Sequence, residues 1–255
     1  MHYGLSCDQI RKVYGANLGR MSVEIESSLD WVNRIKPNKA KALLLAKREV
    51  SVLVYDAVQL EGINFTLPEI QTLLEGVTVG GHKISDQQVA LNQNKAWECL
   101  FDAVASNTFE FSQVFAHKRH GIAGESEALE WGSFRSGMVS IAGTDYMPPE
   151  PEALEADFEQ LQKELNGISD IYNRAIHAFL RMARTQFFYD VNKRMGRFMM
   201  NGILLSNGYP AINLPVKKKL EFNQLMMPFY ETGDESAMNK FMRSCVDARM
   251  IQLMA

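Results

Sequence analysis

A chain of 255 residues, 46% hydrophobic and 22% charged, is long enough for one large domain or two small ones. Its net charge of −3 leaves no basic excess to drive counterion release, which argues against a nucleic-acid partner. Cys7, Cys99 and Cys245 lie far apart with no CxxC spacing, so reduced thiols in a cytosolic setting are expected rather than a disulfide framework.

The chain opens on Met1-His-Tyr-Gly4, with neither the basic nor the apolar region of a signal peptide. No apolar run approaches ~18 residues, so no transmembrane helix is predicted. The expectation is a soluble, cytoplasmic protein with no membrane partner. Residues 1–37 are expected to hold one or two short helices. Asn38 can cap a helix that runs from Lys39 to about Leu60, with Leu43, Leu44, Val50, Val54, Ala57 and Val58 at helical spacing. It stops at Glu61-Gly62.

Thr66-Leu-Pro-Glu69 reads as a helix start, with Thr66 as cap and Pro68 and Glu69 in the first turn. A loop with Gly80-Gly81 follows. A further helix begins near Ser85, with Val89, Ala96, Leu100 and Val104 along one face. Residues 121–149 are interrupted by glycines, and Phe134–Met147 reads as a β-hairpin or flap ended by Pro148-Pro149. Helix is expected again from about Pro151 to Leu165, from Ser169, up to Asn207-Gly208 after one interruption, from Lys217, and after Gly233–Ser236. The expected fold is mainly α with one flap. Lys217–Lys219 reads as a solvated face, and His117 and His120 as surface or satisfied core histidines. Met195, Met199, Met200, Met226 and Met227 read as core filler.

The interruption carries the chemistry. It is Gln186-Phe-Phe-Tyr-Asp-Val-Asn-Lys-Arg-Met-Gly-Arg197, a polar loop between two helical patterns. A loop feeding a helix N-terminus offers free backbone N–H groups and the positive end of the helix dipole, which is an anion site. Arg194 and Arg197 are three apart and share a face. Guanidinium groups suit phosphate, and Asp190 could hold a divalent metal.

This stretch resembles the motif of the Fic (Fido) family, His-x-Phe-x-Asp/Glu-Gly-Asn-Gly/Lys-Arg-x-x-Arg, at Phe188, Asp190, Asn192, Lys193, Arg194 and Arg197. Leu60-Glu61-Gly62-Ile-Asn64 with Thr66-Leu67 resembles the inhibitory-helix signature of members that carry it before the core. Val79-Gly-Gly81 and Leu91-Asn92 continue that pattern. Phe134-Arg135-Ser-Gly137 through Tyr146-x-Pro-Pro149 resembles the family's flap. The resemblance covers roughly residues 40–210, and the tail from Lys217 only loosely.

The resemblance implies a Fic helical fold with a β-hairpin flap. It divides the chain into an N-terminal helical region with the inhibitory helix (1–85), a core (86–215) and a C-terminal helical extension (216–255). It implies a protein adenylyltransferase that moves AMP from ATP, with Mg²⁺, to a hydroxyl of a target protein docked on the 134–147 flap by β-augmentation. Asp190 would hold the metal. Asn192 and the loop amides would cradle the α-phosphate, and Arg194 and Arg197 the β- and γ-phosphates. Lys193, Gly196 and Asn201 complete the nucleotide-binding set, Asn201 against the nucleoside. Glu61 would pair with Arg197 and displace the γ-phosphate. Self-association into a homo-oligomer is left open.

Four positions depart from the pattern. Gln186 stands where the family's His takes the proton from the attacking hydroxyl, and an amide cannot do this near neutral pH. Losing a general base costs roughly 10²–10⁴-fold. His177, nine residues back, is too far to replace it. Phe187 replaces the usual Pro, and Val191 replaces a loop glycine, where a β-branched residue resists positive φ. Lys193 is shared with Doc-type relatives, which transfer phosphate. Ala57 takes the place of the Ser/Thr four residues before the inhibitory Glu, which leaves that helix to packing alone. A nucleotide- or protein-binding pseudoenzyme and a Doc-like phosphotransferase are the alternatives.

Overall fold

The computed structural model describes residues 31–255; Cys7 and the short helices expected before residue 31 lie outside these. Eleven α-helices are present among the described residues. They are α1 (Lys39–Arg48), α2 (Val50–Leu60), α3 (Leu67–Leu74), α4 (Ile84–Ala105), α5 (Gln113–Ala123), α6 (Leu154–Gly167), α7 (Ile171–Thr185), α8 (Asn192–Ser206), α9 (Lys219–Thr232), α10 (Ser236–Arg243) and α11 (Ala248–Met254).

The helix starts follow local chemistry. Asn38 Oδ1 accepts the Lys41 N–H at 2.9 Å, capping α1. Thr66 and Glu69 form a full capping box on α3. The helix expected over Lys39–Leu60 is two helices, because the backbone turns at Glu49 and divides α1 from α2. The segment between α4 and α6 also holds α5, which the sequence reading leaves undivided.

Two helices organise the rest. In α8, Asn192 and every residue from Arg194 to Leu205 are buried, so the helix is enclosed on all sides. It packs most extensively on α7. Gly196 allows that approach: a Cβ there would lie 3.0 Å from Phe179 O. Gly202 similarly receives the ring of Phe109. Helices α1, α4 and α5 pack on α8, α6 and α10 on α7, and α2 and α3 on α4. Met195, Met199 and Met200 fill the centre, as expected.

No strand occurs among the described residues, so the β-hairpin expected over 134–147 is not confirmed. That segment is instead an extended chain with turns, tied down by one buried side chain. Arg135 Nε donates to Gln186 O at 2.7 Å, Nη1 to Gly137 O at 2.8 Å, and Nη2 to Pro149 O. The Arg135 N–H also donates to Phe187 O at 3.0 Å. These bonds take the place of a strand-to-strand ladder.

Candidate active site

Residues 186–191 join α7 to α8 in six residues, and the turn needs two left-handed conformations. Gln186 has φ +52° and Val191 φ +63°. Val191 therefore adopts the backbone that its branched side chain disfavours. No side chain caps α8 at its N-terminus, so its first N–H groups remain free for an acceptor.

Asn192 holds the loop in shape. Its Oδ1 accepts from Phe188 N at 2.9 Å, and its Nδ2 donates to Phe188 O at 2.7 Å and Gln186 Oε1 at 2.9 Å. The side chain is used within the loop. Gln186 Nε2 donates to Ala183 O, so both ends of this amide are engaged. Asp190 is exposed, and its Oδ1 accepts the Val191 N–H at 2.6 Å.

The two arginines are buried, Arg194 at 2% exposure and Arg197 at 8%. Glu127, from the turn after α5, takes the fork of Arg194: Nη1 donates to Oε2 at 2.8 Å and Nη2 to Oε1. Nothing in the sequence marked Glu127. Glu61, at the C-terminus of α2, places Oε1 3.6 Å from Arg194 Nε and 3.8 Å from Arg197 Nη2. Both of those nitrogens are buried and have no hydrogen-bond partner. Burial pushes the Glu61 carboxyl up, but Arg194, Lys193, Arg197 and Lys219 together bring it below its usual value. Burial and Arg194 pull the Arg197 guanidinium down to about 10, against Glu61, so it is charged at neutral pH.

Helix α2 is not held by packing alone. The buried Asp56 accepts from Asn213 Nδ2 at 2.5 Å and from Val216 N at 2.8 Å. Lys219 Nζ donates to Gln59 O at 3.0 Å. The neighbour of Ala57 thus supplies the polar tie that Ala57 lacks, and the C-terminal extension grips the end of α2 that carries Glu61. Burial raises the Asp56 carboxyl despite those two bonds.

Two residues of the expected nucleotide-binding set have structural roles in the fold. Asn201 is 1% exposed, and its amide is taken at both ends by Ile212 O at 3.0 Å and Ile212 N at 2.8 Å; it pins the chain after α8. Gly196 serves the α7–α8 contact. His177 sits between Glu235 at 2.9 Å and Glu164 at 3.1 Å. Burial lowers it but these carboxylates prevail and raise it; it takes no part in the loop.

His120 is the buried partner of the loop. Its ring stacks on Phe188 with centroids 3.9 Å apart. Gly132 N donates to Nδ1 at 3.1 Å, and Nε2 meets Asp190 O at 3.3 Å. A carbonyl can only accept, so the ring is the neutral Nε2–H tautomer. Burial pulls it down to about 4.

A divalent ion fits only in one form. Among the described residues, no group of three His, Cys, Asp or Glu side chains could hold one. Asp190 would supply one carboxylate, which suits Mg²⁺ held mainly by phosphate and water.

The fold is helical and is built around a loop that feeds an uncapped helix N-terminus beside two buried arginines. Residues 108–204 match the model of the Fic/DOC family. The Protein adenylyltransferase Fic of Drosophila erecta is 25% identical over 238 residues, 91% of this chain and 47% of its own. The chain thus spans about half the length of the curated relatives it matches. Fic-1 (aa134 - 508) from C. elegans superposes with a TM-score of 0.71 at 19% identity, over 96% of this chain and 74% of that one. IbpAFic2 in complex with adenylylated Cdc42 superposes with a TM-score of 0.53 at 14% identity, over 90% and 70%. At these identities the structures show a shared fold. No described helix is long and apolar enough to cross a membrane.

Proposed function

We propose that the protein is an adenylyltransferase that moves AMP from ATP to a hydroxyl of a target protein. One observation carries the reading: Arg194 Nε and Arg197 Nη2 are buried donors without an acceptor, both facing Glu61 Oε1. Buried donors are rarely left unpaired, and a phosphate oxygen would satisfy both. Free N–H groups at the start of α8 and the Lys193 charge add to the attraction. Asp190 would hold Mg²⁺ against the phosphates, where the ion would neutralise charge on the leaving group. Asn192 would shape the α-phosphate cradle rather than touch it.

Glu61 would act as the inhibitory group, since its carboxylate occupies the charge position a terminal phosphate would take. The chain would divide into a regulatory region to residue 85, a core of 86–215 and an extension of 216–255 that braces α2. The 134–147 segment would receive the target by β-augmentation, because its backbone has few internal partners. Incubation with ATP labelled at the α-phosphate and Mg²⁺ tests the reading. Label on protein is expected, and a Glu61→Gly variant that binds ATP without labelling any protein overturns it.

A second reading is a nucleotide-binding protein without transfer. The engaged amide of Gln186, bonded to Ala183 O and Asn192, favours it, because nothing at that position can take a proton. ATP affinity without AMP transfer is its signature.

A further inference from the structure

With Gln186 unable to act as a base, adenylyl transfer requires another proton acceptor on the side of the loop where the target would dock. Three side chains form a hydrogen-bonded line there. Ser136 Oγ donates to Glu130 Oε1 at 2.8 Å. Ser136 Oγ and Tyr189 OH are 3.2 Å apart. A serine hydroxyl has one proton, and this one is on the bond to Glu130, so Tyr189 is the donor to Ser136. The line therefore runs one way, from Tyr189 through Ser136 to the carboxylate. The lone pairs left on the Tyr189 oxygen are free to accept from an incoming hydroxyl.

The position of the line is set by the loop itself. Tyr189 lies between Phe188 and Asp190. Ser136 follows Arg135, whose side chain holds the Gln186 carbonyl at 2.7 Å. The relay is thus one residue from the tie to the position that lacks a base. Gly137 makes the room: a Cβ there would sit 2.7 Å from Tyr189 OH, closer than atoms can approach. Glu130 and Tyr189 are partly buried, and Ser136 is exposed.

We infer that Tyr189, Ser136 and Glu130 form a proton relay that replaces the missing base, with Tyr189 touching the substrate hydroxyl and Glu130 as the final acceptor. This rests on the adenylyl-transfer reading. In the step, the acceptor oxygen bonds to the α-phosphorus of ATP and the bond from that phosphorus to the bridging oxygen breaks, releasing pyrophosphate. The hydroxyl proton passes to the Tyr189 oxygen, the Tyr189 proton to Ser136, and the Ser136 proton to Glu130. No oxidant or further reactant is needed. Carboxylates serve as bases at such distances, and a lost base costs roughly 10²–10⁴-fold.

The test is pyrophosphate release from ATP and Mg²⁺, with water as acceptor, in the full chain carrying Glu61→Gly. Added Glu130→Gln keeps the hydrogen-bond acceptor but cannot take a proton. The relay requires a rate at saturating ATP lower by roughly 10²-fold or more, with KM and ATP affinity unchanged. Tyr189→Phe and Gly137→Ala should give similar losses. Glu130→Gln combined with Tyr189→Phe should lose no more than either alone, because the groups act as a unit. A Glu130→Gln enzyme as fast as its parent overturns the relay. A parent that binds ATP but releases no pyrophosphate also overturns it, while the phosphate cradle stands. Failure of the parent to bind ATP overturns the cradle reading instead.

Discussion

Glu61 meets Arg197 as a charge and not as a hydrogen-bond acceptor. Oε1 lies 3.8 Å from Nη2, and that nitrogen has no hydrogen-bond partner. The pair is attractive but unsaturated, so a ligand oxygen that reaches hydrogen-bond distance competes well. Glu61→Gly should tighten ATP binding by roughly tenfold or more, a gain of about 1.4 kcal/mol per factor of ten. Calorimetric titration decides it, and an unchanged or weaker affinity counts against inhibition. The charge on Glu61 also fixes the pH sign. Its pKa is lowered overall, so the tie is complete above the ordinary glutamate value and is lost as pH falls through the lowered one. The tie therefore contributes no pH dependence between pH 6 and 8.

Asp56 should control the same event from the far side of α2. Its carboxylate holds Asn213 and the Val216 N–H. Asp56→Ala leaves both part-buried donors without their acceptor, which costs about 1–3 kcal/mol. The end of α2 then keeps only Lys219 of its side-chain ties to the C-terminal extension, and Glu61 shifts more readily. Chemical denaturation should show the loss of stability, and ATP affinity should rise in the same direction as for Glu61→Gly. A stable Asp56→Ala protein with unchanged ATP affinity would detach Asp56 from this role.

Much of this architecture was legible because its signals are local. Asn38 and the Thr66–Glu69 box are caps that read directly from residue type and spacing, and Asn207-Gly208 ends α8 as expected. The pairing of Arg194 and Arg197 was legible for the same reason, since a spacing of three puts them on one helix face. What was not legible depends on distant parts of the chain. Glu127 reaches Arg194 across 67 positions, and Asp56 reaches Asn213 across 157. No periodicity encodes such pairs. The flap misled for a related reason. Its glycines and β-branched residues mimic a hairpin, but the segment is tied through Arg135 to the carbonyls of Gly137, Pro149 and Gln186 rather than by a ladder. Motif position places Asn201 against a nucleoside, and only its burial against Ile212 shows that its amide is occupied.

His120 should make stability fall on mild acidification. Its folded pKa is lowered to about 4, against about 6.5 in an unfolded chain. Between these values the unfolded state binds the extra proton, so stability rises with pH across that window and falls as pH drops through it. Between pH 7 and 5 the loss is about 2 kcal/mol from this group. Urea unfolding at the two pH values tests it, with His120→Gln expected to flatten the difference. An equal slope in both proteins would place the effect elsewhere.

Val191 should reverse the usual order of alanine and glycine. At φ +63° any Cβ is strained, by about 1 kcal/mol or more. Val191→Ala keeps that strain and loses the buried isopropyl contacts. Val191→Gly loses those contacts and the Cβ but removes the strain. The glycine variant should therefore be more stable than the alanine variant by about 1 kcal/mol. Thermal or urea unfolding of the two measures this directly, and an alanine variant that is the more stable would mean the strain is not stored at this residue.

Arg135 should be irreplaceable by lysine. Its guanidinium reaches three carbonyls in three directions, those of Gln186, Gly137 and Pro149. It is 2% exposed and its three acceptors lie on half-buried residues, so any carbonyl it abandons loses its donor. A lysine ammonium keeps the charge but cannot span the three sites. Arg135→Lys should cost about 2–4 kcal/mol. The loss should be local, because the carbonyls lie at the two ends of the 134–149 segment and on the loop beneath it. Amide exchange should accelerate at Arg135, whose N–H donates to Phe187 O, and proteolysis should move to residues 138–148. The donors that would face a phosphate in the proposed cradle belong to Arg194 and Arg197 on α8, so ATP affinity should hold. A variant that loses ATP binding in parallel with the segment would show that Arg135 shapes the anion site through the Gln186 carbonyl as well.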